Sequence, residues 1–370
     1  MKIKELAKII DSVAPLELAL DWDNVGLLVG DAEKNIKTVL LTIDITKAVL
    51  AEAKKIKADM ILSYHPVIWD GLKTVTPQGS GGIVYELIKS NIPVFSIHTA
   101  LDLATGGTND GLANILGLID TKPIGDYVQR QSEQKYKIIT FVPQEHLKTV
   151  ANAAFAAGAG AIGSYSNCSF TSQGTGTFLP LKNAKPAIGK VGKLEKLTEI
   201  KFETIVPSEN LKKVLAAVLA AHPYETPAYD VLKIHSDPTQ FGLGRIGKLE
   251  KPMPLSKIIE RIKKQTGAKT FGIIGNEKRL VKTAAVCAGS CGSIINSIIT
   301  QKADLYLTGE LKHHQALAAQ ESDLTCICLS HSVSERFMLK ILAKQLQKKA
   351  KQITFKLSKK DIDPFNWKKL

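Results

Sequence analysis

At 370 residues, with 44% hydrophobic and 23% charged side chains, the chain has the balance of a globular protein able to bury one core or several. No apolar run approaches the roughly 18 residues that would span a bilayer, and the first ten residues alternate charge with apolar side chains and form no secretory leader core, so a cytoplasmic protein is expected. A net charge of +14 invites a nucleic-acid reading, but only five of the 49 basic residues are arginine, the side chain whose planar fork reads guanine, so attraction of an anionic substrate is preferred. The densest basic stretch, Lys340 to Lys360, reads as the solvated face of a helix and its tail.

In chain order, residues 3–13 form an amphipathic helix through Ile3, Leu6, Ile9, Ile10 and Val13, stopped by Pro15. Asp21 to Gly30 is a polar turn followed by a short apolar run, in which Asp23 and Asn24 either line a pocket or cap their own backbone. Strand 38–43, helix 45–56 and strand 60–63 make a βαβ unit. Gly79 to Gly82 enter helix 83–90 as a flexible loop or, less simply, as a phosphate cradle. Strand 92–97 follows, then a helix ending at Leu116. Asp120 to Gln134 reads as a polar connector.

Beyond it come strand 136–143, helix 146–157, the Gly/Ser-rich loop 158–176, strand 192–206, helix 211–221 and strand 229–234, which supply three of the four strands in the β, α, β, β, α, β order of a ferredoxin-like domain. Alternation of α and β resumes after Gly242, with helix 255–265, strand 282–287, helix 293–301, strand 303–307, strand 324–329 and a long helix from about Ser332 to Lys349. The domain organisation expected is therefore 1–125 and 241–370 as two halves of one α/β domain, with 126–240 inserted between them.

Three strands run straight into a histidine: 58–63 into Tyr64 and His65, 92–97 into His98, and 324–329 into Ser330 and His331. In open α/β sheets ligands gather beyond the carboxyl ends of strands, so these ends can converge. His65, His98, Asp102, His331 and Glu335 make a nitrogen and carboxylate set suited to zinc, iron or manganese, with His331 and Glu335 one helical turn apart. The five cysteines suit reduced thiols; Cys287, Cys291, Cys326 and Cys328 could supply a tetrathiolate, although their spacings are not those of a zinc knuckle and three of them lie in apolar strands.

The stretches Trp22-Asp23-Asn24-Val25-Gly26-Leu27, Tyr64-His65-Pro66, His98 to Asp102, Asp304 to Glu310, and His331 with Glu335 together resemble the Nif3-like dinuclear metal proteins, the type 2 homologues of GTP cyclohydrolase I. The insertion resembles the middle domain of the longer bacterial members, and its Ala221-His222-Pro223-Tyr224-Glu225-Thr226-Pro227 is similar to CutA and PII-type domains that serve assembly and sensing. The resemblance implies that His65 and Asp102 ligate one metal and His331 a second, with Glu335 bridging and acting in catalysis. Tyr64 stands where the family usually has a first histidine, and His98 becomes either a proton shuttle or a support behind the ligands. It also implies one or two divalent ions per chain and a hexameric ring. The activity implied is metal-assisted hydrolysis, with hydroxide attacking C8 of GTP, followed by ring opening and loss of formate. Hydrolysis of another nucleotide or phosphoester, and a non-catalytic metal-binding assembly role, stay open beside it.

Overall fold

In the computed structural model, which describes residues 1–129, 134–234 and 240–365, the chain falls into two compact units: Met1–Val128 with Gln240–Leu370, and Gln129–Thr239. The first half of the larger unit runs α1 (Ile3–Asp11), β1 (Gly26–Val29), β2 (Thr38–Thr42), α2 (Lys47–Lys55), β3 (Met60–Ser63), α3 (Gly82–Lys89), β4 (Val94–Ser96), α4 (His98–Leu103), α5 (Thr108–Leu116) and β5 (Leu118–Gln129). The smaller unit contains β6 (Lys135–Val142), α6 (Leu147–Ala156), β7 (Ser169–Phe178), β8 (Glu195–Pro207), α7 (Leu211–Ala221) and β9 (Tyr229–Lys233). The larger unit is completed by β10 (Gln240–Pro254), α8 (Leu255–Thr266), β11 (Gly272–Ile274), β12 (Leu280–Cys287), α9 (Ile295–Thr300), β13 (Leu305–Thr308), α10 (His313–Glu321), β14 (Thr325–Cys328), α11 (Val333–Lys349) and β15 (Thr354–Leu357).

Among the described residues the larger unit holds two sheets, ordered β1-β4-β3-β2-β15 and β11-β14-β13-β12-β10-β5. Each is built on three parallel strands, β2-β3-β4 and β12-β13-β14, closed on one side by an antiparallel strand, β1 on β4 and β11 on β14. Parallel strands buried on both faces are uniformly apolar, and β2, β3 and β13 have almost no exposed side chain. The first sheet buries Leu41, Leu62 and Phe95 against Ile3, Leu6 and Ile10 of α1 and Met338, Leu342 and Leu346 of α11. Its other face packs Leu40, Ile61 and Val94 on α2 and α3. The i, i+3, i+7 spacing in α1 and the longer stripe in α11 put these side chains on one face, which is why the segments are helical rather than strand.

The smaller unit is an antiparallel sheet of order β7-β8-β6-β9 with α6 and α7 on one face, the ferredoxin-like arrangement. The α/β fold interrupted by a ferredoxin-like insertion is thus observed.

Several local readings change. Asp120 to Gln129 is not connector but most of β5, at the end of its sheet; an edge strand tolerates Pro123, because only one side of it is hydrogen-bonded. Residues 130–133 of that connector lie outside the described residues. Half of the Gly/Ser-rich loop is β7, whose side chains stay exposed, so no hydrophobic alternation marked it. Within the basic tail, Thr354–Leu357 adds β15 parallel to β2. Among the described residues no helix is long and apolar enough to cross a membrane.

Candidate metal centre

The carboxyl ends of the parallel strands deliver the site. Thr42 ends β2 and is followed by Asp44; Ser63 ends β3 and is followed by Tyr64 and His65; β4 leads into α4, whose first residue is His98. From the second sheet, β13 is followed by Glu310, and β14 by His331 and the first turn of α11, which carries Glu335.

His65, His331 and Glu335 come together, one ligand atom from each lying within 4.8 Å of the others; among the described residues this is the one such group of His, Cys, Asp and Glu. Glu335, only 2% exposed, turns Oε1 to His331 Nε2 at 3.2 Å and Oε2 to His65 Nε2 at 3.4 Å. The second contact is too poorly formed to count as a hydrogen bond. His65 Nε2 and Glu335 Oε2 are both buried with no hydrogen-bond partner. Native interiors rarely leave such atoms unsatisfied, and a divalent cation between them would satisfy both.

The opposite ring nitrogens are all claimed by carboxylates. His65 Nδ1 pairs with Asp44 Oδ1 at 2.9 Å, His331 Nδ1 with Glu310 Oε1 at 3.0 Å, and His98 Nδ1 with Asp23 Oδ1 at 2.9 Å. A carboxylate on Nδ1 fixes the proton there and leaves Nε2 as a lone pair, the arrangement that orients metal-binding imidazoles. Asp23 is itself held by the Thr99 N–H at 3.0 Å and the Thr99 hydroxyl at 2.5 Å. Burial pushes the Asp23 carboxyl up, but the His98 and Thr99 hydrogen bonds outweigh it and leave it below the usual carboxylate range.

Backbone conformation makes room for the cluster. Gly289 has φ +70, and a Cβ there would stand 2.9 Å from Glu335 Oε1 and 3.5 Å from the His331 ring. Its N–H is tied to Ser334 Oγ at 2.9 Å. Ser330, immediately before His331, holds φ 77, a conformation that side chains other than glycine adopt at a cost of about 1–3 kcal/mol. Beside His331 opens a cavity of about 370 Å³ that reaches Glu310, Leu311 and Phe271.

Charge in the cluster is distributed as a cation would require. Burial raises the Glu335 carboxyl, but the neighbouring His331 and His65 imidazoles overcome it and hold it near about 2. Burial opposes charging of His65, yet Asp44 and Glu335 carry its imidazole up to about 10. The Glu335 hydrogen bond, against burial, raises His331 to about 9. Both imidazoles are thus drawn toward the charged form, and a divalent ion binding there would release those protons and free each Nε2 lone pair.

Tyr64 and Asp102 border the trio without joining its group of ligand atoms, the Tyr64 ring standing 5.4 Å from that of His65. The fully buried Tyr64 hydroxyl donates to Asp102 Oδ1 and lies 3.0 Å from Thr108 Oγ1. Burial, and then the Asp102 charge, push the phenol well above its ordinary pKa, while burial carries the Asp102 carboxyl up to about 6. With Asp102 engaged by a phenol, the purified protein is expected to carry closer to one tightly held divalent ion than two. Tyr64→His removes that donor and adds an imidazole, so calorimetric titration of metal into stripped protein should gain or tighten a second step. Two equally tight ions in the unsubstituted protein, unaffected by the change, overturn this.

The thiols do not join in. Cys287, Cys291 and Cys326 are buried as small apolar side chains, and Cys291 Sγ donates to the Ala288 carbonyl at 2.9 Å. Burial pushes the Cys287 and Cys326 thiols up, away from the thiolate a zinc ion needs.

The site and fold together define a class: a two-sheet α/β protein with an inserted ferredoxin-like unit, whose paired strand ends present a histidine and carboxylate cluster with the donor set of a metal centre. Residues 1–364 match the Duf34/NIF3 (NGG1p interacting factor 3) family, and the chain belongs to it. A Halalkalibacterium halodurans protein named GTP cyclohydrolase 1 type 2 homolog is 36% identical over 336 residues, 90% of this chain and 89% of that one. The Bacillus cereus protein related to NIF3 superposes with a TM-score of 0.75 at 34% identity, and a Staphylococcus aureus protein with 0.80 at 27%, each covering 99% of both chains.

Proposed function

We propose that this chain is a divalent-metal-dependent hydrolase acting on an anionic, nucleotide-like substrate. GTP attacked at C8 is the specific candidate, because relatives bear the name GTP cyclohydrolase 1 type 2 homolog. The observation that carries the reading is the orphaned pair His65 Nε2 and Glu335 Oε2 beside His331, in a cluster whose outer nitrogens are already spoken for. An ion held by His65, Glu335 and His331 supplies Lewis acidity and lowers the pKa of water; two nitrogens and a carboxylate suit zinc, iron or manganese.

The chain's own groups do the rest. His98, its Nδ1 proton anchored on Asp23 and its ring 5.1 Å from that of His65, presents Nε2 as a base beside the cluster. Trp22 and Trp69, 63% and 52% exposed, set their rings edge-on to His98 at 5.7 and 5.3 Å. Asn24 Nδ2 donates to the Ile68 carbonyl at 2.7 Å and ties the two tryptophan loops together. Two open indole faces beside a catalytic cluster offer a stacking platform for a planar base. The net charge of +14 favours approach of a phosphorylated substrate. The proposed assembly is the hexameric ring of the family resemblance, with an anionic substrate preferred to nucleic acid as partner and no membrane partner.

The deciding experiment incubates the protein with a nucleotide panel and defined metals and follows products by mass spectrometry. Chelator should abolish turnover and added metal restore it, and Trp69→Ala should raise KM for a nucleotide more than it lowers kcat, by about tenfold for one lost stacking contact. If GTP is unchanged with every metal, the cyclohydrolase reading fails. Turnover of another nucleotide would then leave the wider hydrolase reading standing, and no turnover at all would leave a metal-binding assembly protein.

A further inference from the structure

The inserted unit contains a cavity of about 570 Å³ that metal chemistry in the other unit does not use. Ferredoxin-like sheets cover one face with helices and leave the other bare. Along β8, Ile200 and Phe202 face α6 and α7, so the alternating Glu199 and Lys201 belong to the uncovered face. There Phe141, Phe178, Pro186, Ile188 and Tyr224 wall the cavity. Its volume falls within the roughly 300–1,000 Å³ of small-molecule sites. Part of the wall comes from 179–194, a loop longer than most and anchored by the Lys185 N–H on Glu225 Oε2 at 3.0 Å.

One charged group lies in the cavity lining almost wholly out of water. Glu199 is 8% exposed; its Oε1 accepts the Tyr224 hydroxyl at 2.8 Å, and its Oε2 takes no hydrogen bond among the described residues. The neighbouring strand gives up a side chain for it, since a Cβ on Gly176 would stand 1.8 Å from Oε2. Its open oxygen faces a mostly apolar cavity, where a donor or cation would complete it.

The lysine in the cavity lining is already paired, and the nearby histidine is neutral. Lys201 Nζ is bound to Glu203 at 2.7 Å. His222, stacked edge-on to Tyr224 at 5.0 Å, accepts the Tyr224 N–H on Nδ1 at 3.1 Å, so its proton sits on Nε2 and is given to the Phe141 carbonyl at 2.9 Å. That imidazole is neutral, and burial lowers its pKa further. Glu225 adds a second negative charge to the wall.

We propose that this cavity binds a small organic cation, an ammonium or amidinium group on an apolar body, with Glu199 as its counter-ion and the Phe178 and Tyr224 rings, 6.4 Å apart, against its flank. The assignment is independent of the hydrolase reading.

Calorimetry on the full chain tests it with 2-phenylethylammonium and 4-guanidinobutylammonium as probes, against 2-phenylethanol and phenylacetate of matching shape. The cations should bind at one site per chain and the alcohol and carboxylate much more weakly. Glu199→Gln should weaken cation binding by about tenfold or more, the worth of one charge-assisted hydrogen bond, and Glu335→Gln should leave it unchanged. Should Glu199→Gln fail to fold, Gly176→Ala, whose methyl group displaces Oε2 while keeping the charge, is expected to give the same weakening. Absence of cation binding at millimolar concentration, equal binding of phenylacetate, or full affinity in folded variants of both kinds overturns the proposal.

Discussion

Glu335→Gln is expected to purify as a folded protein that has lost most of its divalent metal. Each carboxylate oxygen faces a different histidine Nε2, so the amide must turn its NH2 toward one of them. That group cannot donate electrons to a cation, and it removes the negative charge that favours one. Outer partners of metal-binding histidines typically cost 10–100-fold in affinity when lost, and a central ligand should cost at least about that much. Asp44→Asn and Glu310→Gln should fall in the lower, roughly 10–100-fold range, since they alter only the Nδ1 side of each ring. Elemental analysis of the dialysed variants, with circular dichroism to establish folding, reads both effects. Full metal content in folded Glu335→Gln would remove the cluster from consideration as the metal site.

How much of this centre is legible in the sequence depends on what kind of signal each residue leaves. His65, His98 and His331 stand out because each directly follows a short apolar strand, and a polar residue at such a boundary is conspicuous. Glu335 is legible through its one-turn spacing from His331. Asp44 and Glu310 leave less trace, because an acidic residue in a turn after a strand is what ordinary turn chemistry produces. The usable signal is topological: β2 lies beside β3 with Thr42 paired to Ser63, so the second residues past their ends, Asp44 and His65, must be neighbours. Asp23 was readable either as pocket or as turn, and it is both, accepting the Asn24 N–H at 2.8 Å while orienting His98.

Tyr64 is the residue whose surroundings sequence reasoning could least supply. Its place beside His65 suggests a direct role at the metal, whereas its hydroxyl is directed to Asp102 and Thr108, a pairing that depends on how α4 and α5 pack. Strands β5, β7, β10, β11 and β15 leave little local signal for a different reason. Edge pairing, exposed polar faces and a short tail addition are set by partners distant in sequence rather than by a local hydrophobic period.

Arg245 carries the other large expected effect, on stability. It lies in β10, after the insertion, and is 6% exposed, yet its guanidinium reaches back to the first half of the chain. Nη2 donates to the Leu103 and Ala104 carbonyls at 3.0 and 3.4 Å, Nη1 to the Gly242 and Gly244 carbonyls at 2.8 and 3.1 Å, and Nε to Asp110 at the start of α5. Leu103 and Ala104 end α4, the helix that holds His98 and Asp102, so one side chain both pairs the half-buried Asp110 and closes a helix that would otherwise end in bare carbonyls. Arg245→Met should cost about 3 kcal/mol, because buried carbonyls left without a donor cost about 1–3 kcal/mol each while the half-buried Asp110 keeps the Gly106 N–H. Arg245→Lys should recover only part of that, because an ammonium offers three donors from one point where the guanidinium offers five in a fixed fork. Urea denaturation monitored by circular dichroism measures the loss, and metal content of the folded fraction reports on α4. Since Glu335, His65 and His331 are placed by other strand ends, a destabilised Arg245→Met that still binds one ion would assign the arginine to the fold and leave the trio intact. An unchanged midpoint would mean that water satisfies those carbonyls and Asp110 as well as the guanidinium does.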